Sequence, residues 1–299
     1  MTDYYAELCA QSGGEPARMD GWRHRLEQWL RFEVVRRGLE ISPTSKVLDL
    51  GCGTGRLFEY LKIAAPGVYV GVDRRSDVLA RAREDFGDGA SRFVEADWNA
   101  PAVDEQGPFD FAVAIGTMVD GEQSSSGERR RQLARLVTRL HETGGLGWAL
   151  VALNQTRLED DPVRSLEPFL KGSRAVEVKA LLRKLGVDAM IDSQVIPTDL
   201  VVIHRRDEKP WQIADRVAGD EAQEAVLERA QNDDGDIDGA QRAWFWMVTG
   251  RLKRARQALD EVPDSNQRKR LLSEQLRLRE RAGNSEDRPA DQQESRDGR

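Results

Sequence analysis

The chain is poor in the residues that build metal sites and disulfide frameworks. Two cysteines in 299 residues, Cys9 and Cys52, cannot staple a fold. Three scattered histidines, His24, His141 and His204, show no ligand spacing around them, so no metal is expected. No run approaches the roughly 18 apolar residues of a membrane span. Residues 1–15 have neither a basic start nor an apolar core, so no secretory signal is expected there. The expected setting is a reducing one, the cytoplasm. Positive charge is not in excess: 52 acidic against 45 basic residues give a net charge of −7. That disfavours a protein that coats nucleic acid or anionic membrane, since both need a basic surface.

What remains is a chain long enough for one large domain or two modest ones. Apolar residues make up 39% and charged residues 32%, polar for a globular protein but short of a disordered composition. The surplus polarity is expected in particular segments. Residues 284–299 hold no apolar residue except Pro289 and Ala290, and this segment is expected to be a disordered tail.

Before that tail the pattern has two parts. Residues 20–37 read as an amphipathic helix, with Trp22, Leu26, Trp29 and Leu30 on one face, Asp20 as its N-cap and Gly38 as its stop. Strands and helices then alternate. Strand patterns at 46–50, 68–72, 92–96, 109–115 and 146–153 are separated by helices at 56–64, 77–86 and 128–142. A helix ending at Gly186 leads to two further strands, 187–195 and 199–204, joined around Pro197. Alternation of this kind predicts a parallel α/β sheet. The last connection is too short for a parallel crossover, so the final strand is predicted to run antiparallel. From Pro210 only helix patterns follow, at 222–231, 239–249, 252–262 and 268–282. The domains expected are therefore a cap segment and helix at 1–45, the sheet at 46–206, a helical extension at 210–283 and the tail at 284–299.

The strongest signal is Asp49-Leu-Gly51-Cys52-Gly53-Thr-Gly55 at the end of the first strand. Glycines let the backbone turn sharply and let a ligand approach its N–H groups. Asp73, twenty-two residues after Gly51, ends the second strand, and Asp97 ends the third. A carboxylate at the second strand end suits the two hydroxyls of a ribose, and this edge is where open α/β sheets bind ligands. A nucleotide-like cofactor is the reading.

These segments resemble class I S-adenosylmethionine-dependent methyltransferases. The glycine loop, Gly71-Val-Asp73-Arg74, Glu95-Ala-Asp97, the strand 109–115 with Gly116, and Thr143-Gly144-Gly145 are similar to that family's successive motifs. Arg56 stands where a dinucleotide dehydrogenase would more often carry a third glycine. The resemblance covers about residues 20–205. Trp22 with its neighbours, Arg31-Phe32, Leu153-Asn154 and 196–200 are similar to a little-characterised bacterial branch. The resemblance implies a Rossmann-like, doubly wound, seven-stranded sheet with its last strand antiparallel, plus an all-α extension, and S-adenosyl-L-methionine as cofactor. By it, Gly51, Cys52 and Gly53 line the methionine part, Asp49 reaches its amino group, and Asp73 holds the ribose. Asp97 accepts from the adenine, and Trp98 or Arg74 covers the ring.

The implied function is methyl transfer to a small molecule. Tyr4, Tyr5, Trp22, Arg31 and Asn154 are candidate substrate contacts, and no catalytic base is named. Ile115-Gly-Thr-Met118 lacks the Asp/Asn-Pro-Pro-aromatic signature of nucleic-acid amino methylation. The competing function is a cofactor-binding but silent domain serving a helical partner-binding module. Ala243, Trp246, Gly250, Ala255 and Leu259 resemble one tetratricopeptide-like hairpin, which would give a protein partner its surface.

Overall fold

The computed structural model describes residues 13, 16–22, 24–61, 69–87, 91–117, 126–155, 173–234, 237–263 and 266–286. The chain divides into two compact units, Met1–Val226 and Leu227–Arg299. The first unit carries seven strands: β1 (Val47–Leu50), β2 (Tyr69–Asp73), β3 (Ser91–Glu95), β4 (Phe109–Ile115), β5 (Gly144–Leu153), β6 (Met190–Asp192) and β7 (Asp199–Arg205). They lie in the order β3-β2-β1-β4-β5-β7-β6. β1 to β5 pair in parallel, and β7 runs antiparallel to both β5 and β6. The predicted reversal of the last strand is therefore present, and that strand is inserted between its two neighbours.

The central strands Val47–Leu50, Phe111–Ile115 and Trp148–Leu153 are buried along their whole length. Their near-continuous apolar character follows, because a parallel sheet is covered on both faces. The α-helices of six or more residues that precede the unit boundary are, in chain order, α1 (Arg25–Leu39), α2 (Arg56–Leu61), α3 (Ser76–Phe86), α4 (Ser126–Thr143), α5 (Ala175–Leu185) and α6 (Pro210–Val217). On α4 the residues Leu133, Leu136, Val137 and Leu140 form one apolar stripe, and all pack into the core with Leu50, Val70, Trp148 and Leu150. Each such fully buried side chain contributes roughly 1.5–3 kcal/mol.

α1 differs from its expectation. It begins at Arg25, with His24 as N-cap accepting from Leu26 N at 3.1 Å, and ends at Glu40 in the left-handed region. Asp20 is not its cap, and Trp22 lies outside the helix. α1 is also buried nearly all round rather than on one face. Its buried Glu33 is paired: the carboxylate accepts from Arg36 at 2.7 and 2.8 Å and from the Tyr60 hydroxyl at 3.0 Å.

The division between units also differs from 206–210. α6 packs on α1, and Arg216 donates to the carbonyls of Arg37 and Gly38, so this helix belongs to the sheet unit. The boundary falls within α7 (Glu221–Asp234). The second unit continues with α8 (Gly239–Val248), α9 (Leu252–Asp260) and α10 (Gln267–Glu286). Ala243, Trp246, Ala255 and Leu259 share one core with Leu272 and Leu276 of α10. The α8–α9 hairpin thus covers its apolar face with its own third helix. Residues 284–286, assigned above to the tail, are the last residues of α10; the remainder of that segment lies outside the described residues.

Candidate cofactor and acceptor site

The carboxyl ends of β1, β2, β3 and β4 border a cavity of about 320 Å³. Asp49, Asp73 and Asp97 all line it, as do Gly51, Cys52, Gly53, Arg74 and Trp98. The sheet order sets these in sequence, because β3, β2 and β1 are neighbours in register.

The glycine loop is held open by close neighbours. Gly51 has φ +84°, and a Cβ there would stand 2.6 Å from Thr117 Oγ1. Gly53 has φ +53°, and a Cβ there would meet the Asp20 carboxylate. Both positions need glycine for backbone conformation and for space. Thr117 Oγ1 in turn donates to Leu50 O at 2.6 Å. Asp73 fixes the loop from the other side, accepting from Gly53 N at 3.1 Å and Arg75 N at 2.9 Å. Asp97 accepts from Asn99 N at 2.9 Å and is exposed at the cavity mouth.

Asp49 is buried beneath the loop, where the Tyr69 hydroxyl donates to it at 2.6 Å. Burial raises its pKa to about 7; Tyr69 opposes the rise, and the Asp73 and Asp20 charges add to it. Burial likewise lifts Asp20 to about 6, against hydrogen bonds from Thr54 and Gln28 and the Arg56 charge. Cys52 is buried against Gly71, and burial pushes its thiol up.

Two residues of the site carry no clear sign in the sequence, Asp20 and Tyr69. Asp20 accepts from Thr54 N at 2.7 Å, Thr54 Oγ1 at 2.8 Å and Gln28 Nε2 at 3.0 Å, so it ties the segment before α1 to the glycine loop. Its only local signal is that of a helix cap, and Gly21 with φ +84° turns the chain away from that role. Tyr69 carries no signal beyond strand propensity.

The substrate candidates scatter. Trp22 lines the cavity and lies over Gly116, where a Cβ would stand 2.7 Å from its ring. Arg31 is corrected: its guanidinium is buried and bidentate on Asp199, with Nε to Oδ1 at 3.0 Å and Nη2 to Oδ2 at 2.5 Å. It sits behind Trp22, 4.5 Å from the ring centroid, and does not line the cavity. Asn154 is also buried outside the cavity, in a bridge to Ser173. Tyr4 and Tyr5 lie outside the described residues. His141 and His204 are structural: His141 accepts from Trp148 Nε1 at 3.3 Å, and His204 Nδ1 donates to Asp188 O at 2.6 Å.

A carboxylate at each of three successive strand ends, around a loop that presents backbone to a cavity, suits a cationic nucleoside-type cofactor. With the β7 reversal, the sheet has the order and directions that the sequence resemblance to class I S-adenosylmethionine-dependent methyltransferases leads one to expect. Residues 47–145 match the family described as methyltransferase domain, whose cofactor is S-adenosyl-L-methionine. A 116-residue stretch is 34% identical to a trans-aconitate 2-methyltransferase of Paracidovorax citrulli (strain AAC00-1); it covers 36% of this chain and 44% of that protein's length. Among solved structures, magnesium protoporphyrin IX methyltransferase of Synechocystis PCC 6803, with bound cofactor, is 12% identical. The likeness covers 69% of this chain and 86% of that one, with TM-score 0.43. The N-methyltransferase NodS of Bradyrhizobium japonicum WM9 is 14% identical over 68% of this chain and 98% of its own, with TM-score 0.46. Identities this low transfer no acceptor to this chain. Among the described residues no helix is long and apolar enough to cross a membrane.

Proposed function

We propose that this chain transfers a methyl group from S-adenosyl-L-methionine to a small-molecule acceptor. The observation that carries the reading is the cavity lined by Asp49, Asp73 and Asp97 around the Gly51–Gly53 backbone. Asp73 would hold the ribose, since Gly53 N and Arg75 N leave each of its oxygens a lone pair for a hydroxyl. Asp97 would accept from the adenine amine, with Trp98 or Arg74 over the ring. Gly51, Cys52 and Gly53 would line the methionine part, and Asp49 would face its ammonium.

Bound there, the cofactor supplies an electrophilic methyl on a sulfonium. The chain's own work is to bind, orient and exclude water. Asp49 and Asp20 put negative charge beside the place of positive charge, which matters most in a site shielded from solvent. Aligning the acceptor with the methyl supplies much of the acceleration, because the departing thioether is neutral and a good leaving group. No group is assigned as general base. The net charge of −7 speaks against nucleic acid. Cys52 as a buried free thiol suits the cytoplasm.

Methyl-labelled S-adenosylmethionine, incubated with the full chain and a cell extract, tests the reading. Label is expected in the fraction below about 1 kDa, the range of pocket-sized ligands, and Asp73→Ala should reduce it at cofactor concentrations near the wild-type dissociation constant. Label confined to RNA or protein would overturn the small-molecule assignment.

A further inference from the structure

The sheet ends at β6, and a second groove lies along that end. β6 pairs with β7 on one side only, so its other side is an edge. An open groove of about 460 Å³ follows this edge. Five consecutive residues, Val187–Ile191, form its floor. Two helices form its walls, α5 with Lys179 and Arg183, and α6 with Trp211. The walls belong to opposite faces of the sheet. Leu182 of α5 shares a core with Leu200 and Val202 of β7. The neighbouring Ile203 points the other way, as alternate residues of a strand must. Ile203 and Val217 of α6 both close on Gly38 of α1, where an added Cβ would stand 2.4 and 3.4 Å from them. All of these residues lie in the first unit.

An edge strand presents N–H and C=O groups with which a further strand can pair. The walls say what that strand should carry. Lys179 and Arg183 are exposed, sit one turn apart, and make no ion pair among the described residues. Residues so spaced are about 6 Å apart along a helix. Carboxylates two positions apart in a strand lie about 7 Å apart on one face. The α6 wall brings no charge into the groove; Trp211 stands there 65% exposed, beside Pro210 and Ala214. Asp188 is the one carboxylate among the described lining residues, against two cations. Charge also argues against a second copy of this chain. Twofold pairing of β6 with β6 would put both α5 helices on one face and set these cations against their own kind.

We propose that the β6 edge binds an extended segment of a partner protein in which acidic and apolar residues alternate. The segment adds a strand to the sheet. Its acidic side chains face Lys179 and Arg183, and its apolar side chains lie on Trp211, because the two faces of one strand meet the two walls. The groove shares no lining residue with the cofactor cavity, so this binding is independent of the acceptor that the chain methylates.

A phage-displayed library of random twelve-residue peptides, panned on the full chain with the Lys179→Glu/Arg183→Glu variant as counter-selection, tests this. Enriched peptides are expected to alternate acidic and apolar residues. Measured by fluorescence anisotropy, they should bind Lys179→Glu/Arg183→Glu at least about tenfold more weakly and Trp211→Ala at least about fivefold more weakly. Both variants should melt close to wild type, since all three side chains are exposed. N-methylation of every second peptide amide should abolish binding in one register and spare it in the other, the mark of pairing to a strand edge. No enriched sequence, enrichment without acidic alternation, or the same response to N-methylation in both registers overturns the proposal. A concentration-dependent dimer that Trp211→Ala dissolves overturns it in favour of a second copy.

Discussion

Replacing Asp49 by asparagine removes a buried charge and leaves the shape of the side chain unchanged. In the folded chain burial raises this carboxyl to about 7 from an ordinary value of 3.8. Below pH 3.8 it is neutral in both folded and unfolded chains and costs nothing. Between about 4 and 7 the unfolded chain ionises while the folded chain holds its proton, so this group makes stability fall as pH rises. Above about 7 the penalty is complete, on the order of 4 kcal/mol, since each tenfold change in proton affinity is worth about 1.4 kcal/mol. The amide oxygen of the variant would still accept from the Tyr69 hydroxyl. Without cofactor, Asp49→Asn is therefore expected to unfold on the order of 5–15 °C higher at pH 8 and close to wild type at pH 4. The same variant should bind S-adenosylhomocysteine more weakly, because the ammonium loses its counter-charge. Calorimetric melting of both proteins across pH 4–8 is the assay. A gap that does not widen with pH, or a variant less stable at pH 8, would refute the reasoning.

Three other outcomes follow from the same geometry. Wild-type affinity for S-adenosylhomocysteine is expected to rise between pH 5 and 8, as Asp20 and Asp49 ionise near 6 and 7; a pH-independent constant with no proton release in calorimetry contradicts it. Asp20→Ala removes three hydrogen bonds to Thr54 and Gln28, and should cost about 1–3 kcal/mol and speed proteolytic cutting within 16–22; unchanged urea stability and cutting rate would remove its anchoring role. Arg31→Met strands Asp199 in the interior and should cost about 3–5 kcal/mol, most of it recovered in the Arg31→Met/Asp199→Leu double variant; equal melting of single and double variants would show that the charge is solvated.

The sheet is legible in the sequence because its signals are local. β4 spans Phe109–Ile115 in both sequence pattern and structure, since a run of seven residues bounded by Pro108 and Gly116 has one reasonable length. Asp49, Asp73 and Asp97 can be found because each lies at or within two residues of a strand's carboxyl end, and in a parallel sheet every such end lies on one edge. Pattern and structure part where a residue's partner is remote. Arg31 has the pattern of an exposed cation on a helix face, but its partner Asp199 is 168 positions away, and nothing within one turn marks the pairing. Asp20 has the pattern of a cap for the same reason: its real donor, Thr54, is 34 positions away. The α6 helix falls on the wrong side of the expected boundary because composition changes at Pro210, whereas the packing that decides the boundary, Arg216 on the end of α1, is tertiary.

The account stands on the cofactor, and titrating the full chain with S-adenosylmethionine and with NAD tests it most directly. One site for S-adenosylmethionine is expected, with no detectable heat from NAD. Asp73→Ala should weaken binding by roughly 1.5–3 kcal/mol, the range for hydrogen bonds to a charged group. A wild-type chain that binds NAD but not S-adenosylmethionine, or an Asp73→Ala variant with undiminished affinity, would contradict the site described for this sheet edge.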